Sequence, residues 1–320
     1  MPPTAPPATG VRTPWEALPG HLHDAVARIL GSRVTHAVTQ PGGFSPGTAA
    51  RVRTADHTRA FVKAVSAESN PHSPDFHRAE ARNAAALPPV VPAPRLLGTY
   101  DDGNWVALVF EEVVGRQPHV PWRRAELERV LGAVERLART LTPSPVTAPS
   151  VAESLGHDFA GWRHLLDGET GDVTGRLDPW AVAHLAELAE LASPWAESAA
   201  GDTLAHADLR ADNMLLTDDG GVVFVDWPHA VRAAHWFDLL VMLPCVRAQG
   251  GPDPEELFTR HPLAEDADPS GVTATLAALA GYFVGHALKP SPPGLPTLRA
   301  FQRAQGDAAL AWLRKRLDVS

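Results

Sequence analysis

Asp208, Asn213 and Asp226 all lie within one short stretch, HADLRADNMLLTDDGGVVFVDWP, residues 206–228. Met214 to Leu216 and Val222 to Val225 are apolar runs, and Thr217-Asp218-Asp219-Gly220-Gly221 between them suits a tight turn. The stretch therefore reads as a loop followed by a small hairpin that closes on a carboxylate, and such a hairpin brings Asp208, Asn213 and Asp226 to one end. One carboxylate to orient a hydroxyl and take its proton, beside oxygen ligands that hold Mg²⁺ on phosphates, is the set that phosphoryl transfer needs. The alternative is a surface loop that uses Asp and Asn for its turns. The order favours the chemistry: His-x-Asp, then Asn213, then an aspartate ending an apolar strand.

Two further features suit the handling of phosphates. Of 28 basic residues only Lys63, Lys289 and Lys315 are lysines, so a lysine inside the apolar strand Phe61-Val62-Lys63-Ala64-Val65 stands out from a chain whose default cation is arginine. It is either a cation aimed at a ligand or an outward-facing strand residue. Upstream, Gln40-Pro41-Gly42-Gly43-Phe44-Ser45-Pro46-Gly47-Thr48 carries glycines at 42, 43 and 47 that would let backbone amides approach phosphates, although a plain β-turn reads the same way. No G-x-x-x-x-G-K-[ST] sequence occurs, which excludes the P-loop solution.

The elements that must position these groups change character along the chain. From Gly31 to about Val113, short β-rich stretches alternate with Gly, Pro and Asp turns, with one helical stretch near His77 to Leu87. Beyond Arg116, Leu127, Val130, Leu131, Val134, Leu137 and Ala138 recur at helical spacing; His184 to Leu191, Leu276 to Phe283 and Ala309 to Leu317 repeat the pattern. This divides the chain into a flexible leader and first helix (1–30), a strand-rich part (31–113) and a helical part (114–320).

On these motifs the sequence resembles the aminoglycoside phosphotransferase and choline kinase branch of the protein-kinase-like fold, over roughly residues 30 to 315. The resemblance implies an α+β, bilobal architecture, with a small β-rich N-terminal lobe that binds nucleotide and a larger helical C-terminal lobe that holds catalytic and acceptor-binding groups. It implies that His206 braces the loop, Asp208 is the catalytic base, and Asn213 and Asp226 bind Mg²⁺. Asp226-Trp227-Pro228 stands where protein kinases have Asp-Phe-Gly, which suggests a fixed segment. Lys63 would reach the phosphates of ATP with a helix carboxylate as partner: Glu80, in HRAEARNAAAL, in preference to Glu68, which is nearer but lies in a loop. The loop of Gly42, Gly43 and Gly47 is similar to the phosphate-covering loop of that branch. Leu108-Val109-Phe110-Glu111-Glu112-Val113 resembles its hinge, with the Glu111 carbonyl and the Val113 amide against the base and Phe110 at the back; GTP is not excluded. Arg210 is either a group steadying the transferred phosphoryl charge or a surface arginine. Asp238 corresponds to an aspartate that braces the catalytic loop.

Composition narrows the remaining classes. A net charge of −9 leaves no dense basic stripe for nucleic acid. The longest apolar runs fall short of the roughly 18 to 20 residues of a membrane span. The proline-rich start lacks the pattern of a secretory signal and reads as a leader on a cytoplasmic protein. Cys245 is the only cysteine, which excludes an intramolecular disulfide. His21 and His23 have no neighbouring ligands to make a metal site and read as a solvated helix start. The acceptor is then a small molecule bearing a hydroxyl. Residues 151–200 hold nine acidic against two basic residues, which fits either attraction of a cationic acceptor or solvated helix faces. The competing readings are a nucleotide-binding pseudokinase, which would need an essential group to be missing, and a protein kinase, which would need an activation segment. The sequence does not read out an oligomeric state.

Overall fold

The computed structural model describes residues 5–68, 70–169 and 175–319. In the N-terminal part, strands β1 (Val34–Thr39), β2 (Thr48–Thr54), β3 (Arg59–Ser66), β4 (Leu96–Asp101) and β5 (Trp105–Glu111) form one antiparallel sheet in the order β1-β2-β3-β5-β4. Alternation of side chains along a strand gives the sheet two apolar faces. Ala60, Val62 and Ala64 of β3 with Ala107 and Val109 of β5 meet Leu22 and Val26 of helix α1 (Gly20–Leu30). Phe61, Val106, Leu108 and Phe110 form the opposite face, under Ala81 and Ala84 of helix α2 (Ser73–Ala86). Lys63 falls in this second set by parity, opposite Leu108 in the register of β3 and β5. Its side chain is thereby directed under α2, on the face away from α1.

The leader departs from expectation. Its described part is an extended strap that bonds to both halves of the molecule: Ala5 N donates to Ala248 O (2.8 Å), Val11 N to Gly294 O (2.8 Å) and Thr13 N to Gly47 O (3.0 Å). Ala5 is buried with Phe44, Cys245, Ala248 and Phe301. An extended proline-rich segment leaves its backbone groups open to any edge it reaches, and here the loop before β2, the end of the helix Phe237–Ala248 and the turn before the last helix satisfy them.

The second part is mainly helical and is built on one large core. Helix α3 (Arg124–Thr140) buries Leu127, Val130, Val134 and Leu137, as its periodicity predicts. The helices Phe237–Ala248, Pro269–Leu288 and Leu298–Val319 pack against one another at the centre. Among the described residues Pro269–Leu288 is long and apolar enough to cross a membrane, with mean hydropathy 1.4, where the sequence shows no run of that length. Its Ala, Gly and Thr residues break up the apolar run but still give an apolar average. In the fold 72% of that window is buried, the situation of a core helix. Two short antiparallel pairs complete the part, β6 (Thr203–Ala205) with β9 (Val231–Ala233), and the hairpin of β7 (Met214–Leu216) and β8 (Val222–Phe224).

The helix Gly161–Leu166 crosses Pro269–Leu288 where two glycines meet. A Cβ added at Gly161 would land on the backbone carbonyl of Gly281, and one at Gly281 on the ring of Trp162. That ring is itself fixed by its Nε1 donating to Ala277 O (2.7 Å). Backbone cannot yield as a flexible side chain does, so Gly161→Ala is expected to destabilise by about 2 to 3 kcal/mol. The measurement is the urea midpoint, which falls with the slope unchanged. A midpoint equal to that of the parent chain would show that the crossing tolerates a methyl group.

Candidate active site

The hairpin does what its sequence requires. Pairing of Met214 with Phe224 and of Leu216 with Val222 brings Asn213, before β7, alongside Val225 and Asp226, after β8; Val225 N donates to Asn213 O (3.0 Å). Asp208 precedes this hairpin in a loop whose shape is set from below. Asp238, at the start of the helix Phe237–Ala248, accepts from the backbone amides of His206 and Ala207 (both 2.8 Å). Ala207 adopts φ +62° and Asp226 φ +66°, a region costly for residues with a side chain and found where surrounding contacts enforce it. Burial pushes the Asp238 carboxyl up to about 6, even with two amides donating to it.

His206 is fully buried. Its Nε2 lies 2.9 Å from Val225 O, an acceptor only, so Nε2 carries the proton; Nδ1 then accepts from Asp208 N (3.3 Å). Burial lowers its pKa to about 4. The ring is thus a neutral spacer between the loop and the end of the hairpin, in contact with Trp227 (centroids 4.6 Å apart). Trp227 is buried, its Nε1 donates to Phe224 O (3.0 Å), and its carbonyl accepts from Asn83 Nδ2 of α2 (2.7 Å). The segment after Asp226 is held on both sides, in line with the fixed character that Trp227-Pro228 suggests.

Asp208 itself is partly exposed and oriented through both oxygens. Arg210 donates to Oδ1 and Asn213 Nδ2 to Oδ2 (3.0 Å), while Asn213 Nδ2 also reaches Asp208 O (2.8 Å). Using its amide nitrogen in this way leaves Asn213 Oδ1 buried with no partner. A buried oxygen without a partner is costly, and a hard cation would satisfy it. Asn213 Oδ1 and the Asp226 carboxylate therefore fit Mg²⁺, which takes few protein ligands and completes its shell with phosphate and water oxygens. No group of three or more His, Cys, Asp or Glu suited to a metal occurs among the described residues. His23 is instead bonded to Trp15 O (2.9 Å).

Across the cleft, Lys63 Nζ bonds both Glu80 oxygens (2.7 and 2.8 Å) and also Asp226 Oδ1. Glu80 is the helix partner the sequence points to; Asp226 as a second partner is new. Burial lowers the Lys63 pKa, against the raising effect of Glu80. His77, one turn before Glu80, is buried and sits low, at about 3, through burial and the nearby Lys63 charge. A cavity of about 480 Å³ opens beside the lysine. Ala49, Phe61 and Phe110 of the sheet and Leu215 and Val225 of the hairpin line it, and Glu111 and Val113 lie along its edge. Glu112 lines it as well, paired with Arg59 (2.6 Å) and Arg51 (3.6 Å).

Two expectations change. Gly42 and Gly43 line the cavity, but Gly47 does not: its φ of +97° and the closeness of Ala64 O, on which a Cβ would fall, make it a packing glycine against β3. The amides of Gly43 and Gly47 are also taken, by Ala8 O (3.0 Å) and Val11 O (3.3 Å). Arg210 is not a surface arginine. It is mostly buried, grips Asp212 with two bonds of 3.0 Å, and lies over Phe44 and Phe301. Its charge is matched by two carboxylates, and what it does in this arrangement is position Asp208. The sequence reading missed Arg12, which lines the cavity from the leader. Nothing local to residue 12 signals this.

The sequence profile of the phosphotransferase enzyme family matches residues 41–282. No curated protein matches by sequence. Among solved structures, a thermostable mutant of the aminoglycoside phosphotransferase APH(4)-Ia in ternary complex with ADP and hygromycin B is similar over 92% of this chain and 98% of its own, at 15% identity and a TM-score of 0.57. The AMP-bound spectinomycin phosphotransferase APH(9)-Ia is similar over 91% and 98%, at 10% identity and a TM-score of 0.56. A Plasmodium vivax ethanolamine kinase is similar over 88% and 81%, at 13% identity and a TM-score of 0.51. At such identities the likeness is one of fold.

Proposed function

Since this chain belongs to the phosphotransferase enzyme family, we propose that it moves the γ-phosphoryl group of ATP to a hydroxyl of a small polar molecule, with Asp208 as the base. The observation that carries this reading is the partnerless Asn213 Oδ1, on a residue bonded to Asp208 and to Val225 next to Asp226, with Asp226 and the Lys63–Glu80 pair lining the neighbouring cavity. The apolar lining between Phe61 and Leu215 suits a purine, and Lys63 suits its phosphates. When bound, Mg²⁺ would be held by Asn213 and Asp226 and would neutralise phosphate charge. Arg210 and Asn213 hold the Asp208 carboxylate so that a remaining lone pair can take the acceptor proton. With Lys63, Asp208, Asn213 and Asp226 all present, Lys63 bonded to Asp226 and Asn213 to Asp208, an enzyme is favoured over a scaffold. The fixed segment after Asp226 favours a small acceptor over a protein. ATP and GTP consumption measured over panels of aminoglycosides, amino alcohols, sugars and nucleosides tests the reading, which falls if no acceptor in any panel is phosphorylated.

A specific observation favours an amine-bearing acceptor. Half-buried Tyr282, its pKa pushed up to about 12 by burial and then by Asp158 and Asp208, feels the charge of both carboxylates, which supports a reading in which the acidic segment lies beside the cleft. Some of that acid lies beside histidine: Glu169 meets His164 (2.9 Å), whose pKa is raised, while His286 beside Asp158 (3.4 Å) has its pKa lowered by burial and leaves the Asp158 charge in place. The solved relative in this fold that carries hygromycin B fits the same class. Charges exposed to solvent are screened over roughly 8 to 10 Å at 0.1 to 0.15 M salt. The acceptor KM is therefore expected to rise several-fold with salt while kcat changes little. Joint neutralisation of Asp158, Asp167 and Glu169 should mimic the effect; Asp172, in the same segment, lies outside the described residues. An uncharged acceptor, or a KM indifferent to both changes, would return the segment to a solvated surface.

A further inference from the structure

The strap formed by residues 5–14 runs beside the glycine loop and ends its contact there with an arginine turned inward. Thr9 bridges Gly42 and Arg12 bridges Gly47, so strap and loop are zipped together by backbone bonds. From this zipper the Arg12 guanidinium donates to the carbonyls of Gly42 and Ser45 and lines the same cavity as Lys63 and Asp226. Its Nε is buried without a partner. No carboxylate among the described residues forms an ion pair with it, whereas Lys63 is matched by Glu80 and Asp226, and Arg210 by Asp208 and Asp212. Neutral carbonyls fix the position of this guanidinium but leave its charge unbalanced. A half-buried cation without a counter-ion is costly, and an arriving anion would remove that cost. Burial does act against the charge here, lowering the Arg12 pKa, with Asp212 the one carboxylate whose field opposes that.

We propose that Arg12 is a phosphate-binding residue of the nucleotide site, delivered by the leader, so that nucleotide occupancy and order of the strap are coupled. The proposal rests on the reading of the cavity as a nucleotide site, and it adds a cation that lies outside the matched family region 41–282. Arginine suits the role because its planar fork can hold loop carbonyls with some donors while offering others to phosphate oxygens. The occupant is then selected by phosphate charge: a nucleoside triphosphate or diphosphate gains from Arg12, and the bare nucleoside does not.

The test uses the full chain and calorimetric titration with ATP, ADP and adenosine. Arg12→Gln is expected to weaken ATP and ADP binding about tenfold, the scale of one hydrogen bond to a charged group, and to leave adenosine binding unchanged. An equal loss for adenosine would reduce Arg12 to a residue that shapes the loop, and unchanged ATP binding would remove it from the site; either result overturns the proposal. The wild-type chain gives a second readout that needs no variant. Trypsin cuts after Arg12, and intact-mass analysis should show this cut slowed by ATP and not by adenosine; equal cutting rates with both overturn the coupling. Lys63→Ala separates the two levels. If it abolishes ATP binding while Arg12→Gln and strap cleavage behave as though Arg12 were absent from the site, the nucleotide site stands and the leader's role falls. If the wild-type chain binds neither ATP nor adenosine, the reading of the cavity fails and this inference fails with it.

Discussion

Asp208→Asn is expected to lower kcat by about 10³-fold while leaving Mg-nucleotide affinity within a few-fold, because the carboxylate acts on the acceptor proton in the reaction step and not on ATP. The structure sharpens this expectation. Asp208 accepts from two donors, Arg210 on one oxygen and Asn213 on the other. An amide in its place must turn its own NH₂ toward one of them, so some misorientation adds to the loss of the base. Arg210→Ala separates the two effects, since it removes orientation and keeps the carboxylate; it should lower kcat less than Asp208→Asn does. Asp226→Ala should behave differently, weakening Mg-nucleotide binding itself, because it removes one of the two oxygen groups proposed to hold Mg²⁺ and also one of the two carboxylates on Lys63. Turnover and titration of the three variants decide the matter. Near-parental turnover by Asp208→Asn with a productive acceptor would mean that another group is the base.

The second large effect concerns Lys63 and Glu80. Lys63→Ala and Glu80→Ala are each expected to impair nucleotide use by about 10²-fold, with the double variant little worse than Lys63→Ala alone, a coupling of about 2 to 3 kcal/mol. Both partners are largely buried, with side-chain exposures of 14% and 6%. Removing one leaves the other's charge in a poor dielectric, at a cost of about 3 to 5 kcal/mol for a fully buried pair and less here, where the cleft admits water. Asp226 adds a distinction between the two single variants: without Glu80, Lys63 keeps a carboxylate, whereas without Lys63 both carboxylates lose their shared cation. Lys63→Ala should therefore lower the urea midpoint more than Glu80→Ala. Rate losses that multiply in the double variant would show that Glu80 does not position Lys63.

Most of the catalytic end was legible because its causes are local. Apolar runs around Thr217-Asp218-Asp219-Gly220-Gly221 specify a hairpin, and a hairpin of that register sets Asn213 beside Asp226 whatever the rest of the chain does. The choice of Glu80 over Glu68 was also local, because a carboxylate on the first helix after a strand can be held facing that strand and one in a Ser, Asn and Pro loop cannot. Parity in β3 separates Lys63 from Val62 and Ala64, although only the covering helices determine which face becomes the cleft.

What failed to show in the sequence depends on contacts that close long loops. Gly47 looked like its neighbours Gly42 and Gly43 until β3 was placed against it. The leader looked free until the loop before β2, the end of the helix Phe237–Ala248 and the turn before the last helix satisfied its backbone. Arg210 could be solvent-exposed or catalytic by sequence, and Asp212, Phe44 and Phe301 enclose it, which removes the first of these. By itself, then, the sequence determined the secondary elements, the family and the identity of the groups able to do phosphoryl chemistry, since periodicity, turn residues and motif spacing act over a few residues. The tertiary structure alone decided which of those groups have their charge balanced and which do not: Lys63 shared between two carboxylates, Asn213 Oδ1 left without a partner, and Arg12 brought to the cavity from far along the chain. Charge balance in a buried site is a property of distance in space, and residues 12, 63 and 80 reach the hairpin that carries 213 and 226 only when the whole chain has folded.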